Sequence, residues 1–332
     1  MIDVANAAAV SKTTVSYVLN RRPVAVPEDT KQRILNAAEQ LGYQPNRMAR
    51  NLAQQRSGLI GVLTPINTSP FHAQLTGELS SRASCLDYTL LFEPIRSRLD
   101  QHGYRFAVNK LTQWRVDGLL IWCDEFAPEL LVDYPTVFMG TLRSFPPEQL
   151  HVGVDLYAGA TSAAKHLVGL GHRKICYVGR NNADLDPRWQ ALADVAAIAG
   201  IPVPMRLEEA EAQGFGGKFA RVMEDCQDSP TAFFCISDVQ ALNVFRRLLD
   251  AGLKVPRDVS LISCDESWVA ESLDPPLSAV SVPFAEMADS ALTMLFELIA
   301  KKQPDFPQRV LVPQLRVRGS TSAPAIREVL QR

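Results

Sequence analysis

Lys12, Thr13, Ser16 and Tyr17 stand at i, i+1, i+4 and i+5, so on one helix they share a face of four hydrogen-bonding side chains. Ser11 just before them is a preferred N-cap type, its hydroxyl placed to accept from a backbone N–H one turn on. No bond is made or broken by such a face. Its chemistry is recognition: donors and acceptors on a short helix match the base edges displayed in a DNA major groove. Val15, Val18 and Leu19, at i, i+3 and i+4, form the opposite, apolar stripe. Taken alone, the polar face also suits a plain solvated surface, so the flanking residues must decide.

Residues that could do covalent or metal chemistry are present but badly arranged for it. His72, His102, His151, His166 and His172 have no metal-ligand spacing, and no serine or cysteine sits in a nucleophile elbow. The glycines of "GLGH" (169 to 172) and "GFGG" (214 to 217) lack the strand-loop-helix context of a phosphate loop. His172 reads instead as the end of a helix-to-strand turn. The six cysteines are widely spaced without a C-x-x-C pair and read as reduced core residues. An enzyme is therefore disfavoured, and neither a metal nor another cofactor is expected.

The reading face needs a scaffold, and the neighbours supply one. "IDVANAAAV" (2 to 10) forms a second short helix, joined to the first by a turn at Ala9 and Val10, which together make a helix-turn-helix. "VPEDTKQRILNAAEQLGY" adds a third: Pro27 opens it, Glu28 and Asp29 favour its positive start, Ile34, Ala37, Ala38 and Leu41 give its buried stripe, and Gly42 ends it. Charge agrees with this placement. Residues 1–56 hold eight Lys or Arg against four Asp or Glu, a net +4, while the rest of the chain carries −6. A basic head on an acidic body favours phosphate contact by the head alone. After it, "PNRMARNLA" (45 to 53) is a two-turn helix, marginal in isolation, that pairing on DNA would stabilise.

From residue 58 short apolar runs alternate with amphipathic stretches. Strands are expected at 59–64, 88–92, 118–122, 136–139, 174–178, 232–235 and 259–263, with helices at 71–86, 156–170, 187–199, 215–227, 238–251 and 284–301. This is a β-α-β-α chain with near-continuous apolar strands, hence parallel sheets covered on both faces and split into two lobes. Ligands of such sheets bind beyond the carboxyl ends of the strands. With 332 residues and 47% hydrophobic content, a small module and a large core fit easily. Neither an 18-residue apolar run nor a secretory leader is found, so a cytoplasmic protein without membrane attachment is expected. A transport-type binding protein would explain the core, yet it needs a leader and has no use for residues 1–56.

The order and spacing of "DVANAAAVSKTTVSYVLN", "GYQPNRMARNLAQQRSGLIGVLTP", "RVDGLLI", "HLVGLGHRKICYVG", "PTAFFCISDVQALNVFRRLLDAGLKVPRDVSLISCDES" and "LRVRGST" resemble the LacI/GalR family of bacterial transcription regulators. That resemblance implies a small all-α helix-turn-helix domain (1–44), a hinge helix and linker (45–57), an α/β core of two doubly wound parallel-sheet lobes like periplasmic binding proteins (58–321), and a short tail (322–332). It implies a homodimer on double-stranded operator DNA, acting as a repressor tuned by a small molecule, a sugar or sugar derivative. Lys12, Thr13 and Tyr17 match base-reading positions, with Ser16 on the same face and Ser11 and Thr14 on phosphates. Tyr17 stands where the family usually has arginine, and Ala9 replaces the usual turn glycine, so that turn is expected to be strained or differently shaped. In the hinge, Asn46, Arg47 and Arg50 are assigned to DNA, Ala49 allows close approach of paired helices, and Leu52 matches the lever that wedges into a base step. In the core, Arg188 matches the arginine that clamps a ligand's hydroxyl or acidic group, and Asp265 the acid that accepts from sugar hydroxyls. Ser237 stands where asparagine is common, beside Asp238, whose alternative role is a helix cap. Phe71 and Trp122 fit either a flat contact to a sugar ring or base, or plain core. Glu93 and Asp124 fit either the cleft or the surface. From "APAIREVLQR", too short for several heptads, a tetramer-forming coiled coil is not expected.

Overall fold

The computed structural model describes residues 1–19, 25–43, 56–65, 70–95, 101–123, 132–141, 145–180, 183–209, 211–224 and 229–325. It divides into two units, Met1–Gly58 and Leu59–Arg332. The small unit holds three helices, α1 (Ile2–Ala7), α2 (Lys12–Leu19) and α3 (Glu28–Gln40). Their core is Val4, Ala5, Ala8, Val15, Ile34, Ala37 and Ala38, with Val18 and Leu19 packed at its margin. Pro27 stands one residue earlier than expected, as the N-cap of α3 rather than its first helical residue. Gly42, at φ 57, ends that helix in the left-handed conformation its type tolerates. Ala9 takes the same kind of conformation, φ 52, in the turn between α1 and α2. The turn thus keeps a glycine's backbone shape and imposes it on an alanine.

The large unit contains two six-stranded sheets. The first is built from β1 (Leu59–Pro65), β2 (Thr89–Ile95), β3 (Gly118–Trp122), β4 (Thr136–Thr141), β5 (His151–Val154) and β11 (Gln308–Leu311), in the order β11-β5-β4-β3-β1-β2, all parallel. Alternating residues separate its two faces. Ile60, Val62, Leu120, Trp122, Val137 and Met139 pack with α4 (Pro70–Cys85) and α11 (Phe284–Ile299), whereas Leu63, Leu119, Ile121 and Phe138 pack with α5 (Gln101–Gln113).

The second sheet has β6 (Ile175–Arg180), β7 (Met205–Glu209), β8 (Ala232–Cys235), β9 (Ser260–Ser263), β10 (Ser278–Ser281) and β12 (Gln314–Arg316), in the order β12-β10-β9-β8-β6-β7. One face lies against α6 (Leu156–Gly169) and α7 (Pro187–Ile198), the other against α8 (Glu211–Glu224) and α9 (Asp238–Asp250). A short helix α10 (Trp268–Ser272) follows β9. The expectation of parallel pairing fails at one edge, since β12 runs antiparallel to β10.

The chain passes between the sheets three times: after β5, after β10 and after β11. Two of these passages are tied, because the Asp155 amide donates to the Leu311 carbonyl at 2.9 Å. The Asp155 carboxylate meanwhile caps α6 by accepting from the Ala158 amide at 2.8 Å. His172 does finish the α6-to-β6 turn, and its buried ring is bonded to Thr231 Oγ1, Ser260 Oγ and the Ser322 carbonyl, fastening residue 322 to the starts of β8 and β9. Cys176, Cys235 and Cys264 are buried, and burial pushes the Cys176 thiol up to about 12. Cys85 is exposed, so the reading of the cysteines as core residues is corrected there; Cys226 lies outside the described residues.

Candidate functional site

The polar face of α2 is set by its cap and its buried stripe. The Ser11 hydroxyl accepts from the Thr14 amide at 3.0 Å and is bonded to Thr14 Oγ1 at 2.8 Å, so these two residues hold the helix start together. With Val15 fully buried beneath, Lys12 and Thr13 are exposed and Ser16 and Tyr17 half-buried. Asn46, Arg47, Ala49, Arg50 and Leu52 lie outside the described residues.

In the second sheet three strands end on one polar cluster. Asp186, after β6, is the N-cap of α7: its Oδ1 accepts from the Arg188 amide at 2.9 Å. The same carboxylate takes the Arg188 side chain in a fork, Oδ1 from Nε at 2.9 Å and Oδ2 from Nη2 at 2.8 Å. Arg188 Nη1 donates to the Ile236 carbonyl, just past β8, at 3.0 Å. Both side chains are only about one-seventh exposed, 15% for Arg188 and 14% for Asp186. Burial alone would lower the Arg188 pKa, but the carboxylates of Asp186 and then Asp265 outweigh it and hold the guanidinium charged. Asp265, past β9, is buried, its amide donating to Ser263 Oγ at 3.1 Å. Tyr177 lies beneath, its phenol pushed above its ordinary range by burial and by the neighbouring Asp186 carboxylate. Trp189 meets Tyr177 edge-on at 5.3 Å and carries Arg206 over its ring at 3.9 Å.

Ser237, not Asp238, is the cap of α9: its hydroxyl accepts from the Gln240 amide and is bonded to the Gln240 side chain. Asp238 is buried and accepts from Ser267 Oγ, joining the starts of α9 and α10. Burial raises its pKa, and the Ser267 bond works against that.

The first sheet contributes aromatic surface. Phe71, the second residue of α4, meets Trp122 at 5.7 Å and Phe284 at 4.7 Å, both edge-on, and His72 meets Trp122 at 5.1 Å. Trp122 is 5% exposed and closes the α4 and α11 face of the sheet, so it is core; its indole N–H nevertheless has no hydrogen-bond partner among the described residues. Phe284 sits just after the β10 passage, so this cluster touches a connection between the lobes. Glu93 takes the flank: it shares the α5 face with Leu91 and Leu63 and is paired with Lys110 at 2.8 Å. Asp124 lies outside the described residues.

Asp186, Tyr177, His72 and Phe284 were not singled out from the sequence. A signal for Asp186 was available, since an aspartate directly before a proline at a helix start is an N-cap pattern. Nothing in the sequence signals that its carboxylate turns onto Arg188. Among the described residues no group of His, Cys, Asp and Glu is arranged to hold a metal ion, and no helix is long and apolar enough to cross a membrane.

Residues 1–46 match the family model of bacterial regulatory proteins, lacI family, and residues 164–321 match that of the periplasmic binding protein-like domain. The HTH-type transcriptional repressor PurR of Mannheimia succiniciproducens is 30% identical over 329 residues, covering 96% of this chain and 97% of the relative. The lac repressor dimer bound to operator and the anti-inducer ONPF superposes with a TM-score of 0.76 at 25% identity, covering 97% and 98% of the two chains. The complex of the transcriptional regulator CelR with cellobiose gives 0.68 at 25% identity, covering 96% and 98%. With a three-helix head and two parallel α/β lobes now matched along nearly the whole chain, the protein belongs to the LacI family of helix-turn-helix bacterial transcription regulators.

Proposed function

We propose that the chain acts as a homodimeric repressor that binds a pseudo-palindromic operator and changes its operator affinity when a polyhydroxylated small molecule, a saccharide or saccharide derivative, occupies the carboxyl ends of the two sheets. The observation that carries the ligand class is the composition of the two half-sites. Arg188 supplies fixed donors and Asp265 an acceptor on one side, with the ring of the half-buried Phe71, backed by the core residue Trp122, on the other. Sugars need that combination, since their rings have an apolar face and a hydroxyl edge that both donates and accepts. The cellobiose bound by CelR fits the same class. Lys12, Thr13, Ser16 and Tyr17 read base edges in this account, Ser11 and Thr14 lie at phosphates, and Asn46, Arg47, Ala49, Arg50 and Leu52 form the hinge contact in the minor groove.

A dimer is supported by exposed apolar side chains on one part of the second lobe. Val239, Leu242 and Leu249 on α9 and Trp268 at the start of α10 are all exposed, Trp268 by 68%. The test begins with selection of a preferred site from a random duplex pool by the full-length protein. Thermal-shift measurements against uncharged mono- and disaccharides then find the ligand class. The expected result is a selected site with two-fold symmetry and at least one stabilising saccharide. A pool that yields no preferred duplex ends the reading.

A further inference from the structure

We propose that Asp186 sets the charge of the ligand: by occupying the side fork of Arg188 it leaves the site fit for an uncharged polyhydroxylated molecule and closed to the phosphorylated or carboxylated form of the same molecule. This rests on the reading of the cleft as a saccharide site. A guanidinium has five N–H groups, and a free one pairs bidentately with phosphate or carboxylate. Here the Nε and Nη2 fork, the geometry an oxyanion would take, is already filled by the Asp186 carboxylate. A third N–H goes to the Ile236 carbonyl. What remains are two N–H groups that suit single hydroxyl oxygens.

Two further features oppose an anion at the same place. Asp186, Arg188 and Asp265 together carry one net negative charge, in surroundings where water screens little. Helix starts are the usual backbone sites for anions, but both starts near the cluster are already engaged by the protein's own side chains. The Asp186 carboxylate fills that of α7, and the Ser237 hydroxyl caps α9, with the acidic Asp238 in its first turn. Arg206, which lies over the Trp189 ring, is engaged with that ring and with Asp184.

The test uses full-length wild type and Asp186→Asn, because asparagine keeps the N-cap and the volume while removing the charge. Inorganic phosphate is titrated against both at constant ionic strength, followed by calorimetry and thermal unfolding. A panel of uncharged sugars and their phosphate esters is run on the wild type in parallel. Phosphate is expected to bind Asp186→Asn at least tenfold more tightly than wild type, and adding Arg188→Ala to that variant is expected to erase the gain. Each sugar phosphate is expected to bind wild type at least tenfold more weakly than its parent sugar. Equal phosphate affinity in wild type and Asp186→Asn, or a phosphate ester that outbinds its parent, overturns the proposal. If no uncharged sugar binds, the saccharide reading falls instead, and the phosphate comparison still decides the role of Asp186.

Discussion

Ala9 holds a φ of 52, a conformation that costs an L-residue about 1 to 2 kcal/mol and glycine almost nothing. Replacing it by glycine returns that strain but frees the unfolded chain by about 0.4 to 1 kcal/mol, so Ala9→Gly should stabilise the head by about 0.5 to 1 kcal/mol. Hydrogen exchange of the α1 and α2 amides in the full-length protein is expected to slow about two- to fivefold; unchanged exchange would show that the turn is not strained. His151 makes a second residue-scale argument. Its ring is fully buried, stacked on Phe145 at 3.8 Å, and neither nitrogen has a hydrogen-bond partner among the described residues. Burial lowers its pKa to about 4. Above pH 6.5 the ring is neutral folded and unfolded alike, and it adds no pH dependence. Below that the unfolded chain takes up a proton that the folded chain refuses, so stability falls with pH until about 4, by up to about 3 kcal/mol from this residue. His166 and His172, lowered chiefly by burial as well, act in the same direction. His151→Phe keeps the stack and should leave the melting temperature at pH 7.5 within a few degrees of wild type while flattening its decline between pH 6.5 and 4. An equally steep decline in the variant would remove His151 as a cause.

Helix α6 approaches the passages between lobes closely because Gly159 has no side chain. A Cβ there would lie 2.9 Å from Val280 and 3.2 Å from Pro313, which flank the second and third passages. Gly159→Val therefore overpacks this junction and should cost about 1 to 3 kcal/mol, read as a fall in the melting temperature of the large unit; a variant as stable as wild type would mean the junction yields easily. Much at this scale was legible in the chain. The six amphipathic stretches and seven apolar runs coincide with helices and strands to within a few residues, because each buries a stripe or a whole strand. The strands β5, β10, β11 and β12 escape the same reading: at three or four residues, rich in small or polar side chains, they are held by neighbouring strands rather than by their own pattern. β7, "MRLEE", is an edge strand whose charges mask it. Family spacing pointed to Arg188 and Asp265, which the fold brings to one cluster, whereas the choice between Ser237 and Asp238 as cap depended on which side chain turned back to the helix. In the hinge, Leu52→Ala tests the assigned lever. Operator affinity should fall by roughly tenfold or more, as unstacking a base step needs an apolar wedge, with saccharide affinity unchanged; equal operator affinity would dismiss the lever.

Ligand and operator can communicate in this architecture only if the ligand binds the two lobe arrangements unequally. The half-sites lie on separate sheets joined by three passages, and Phe284, in contact with Phe71, stands directly after one of them. Under the proposed function a molecule held by both half-sites favours one disposition of the lobes, and that preference is what the DNA-binding unit would have to sense. Thermodynamic linkage then fixes a relation that no choice between inducer and corepressor can change: if the ligand alters operator affinity by some factor, operator must alter ligand affinity by the same factor, typically about 5 to 150. The expected outcome is equality of two independent measurements. One is operator affinity by fluorescence anisotropy with and without saturating saccharide; the other is saccharide affinity by calorimetry with and without saturating operator. Both must be made at one salt concentration, since a head of net charge +4 gives an operator affinity that falls steeply as counterions compete for the phosphates. A saccharide that binds the cleft yet leaves operator affinity unaltered would show that the passages transmit nothing, and the core would then be a binding domain without control of the head.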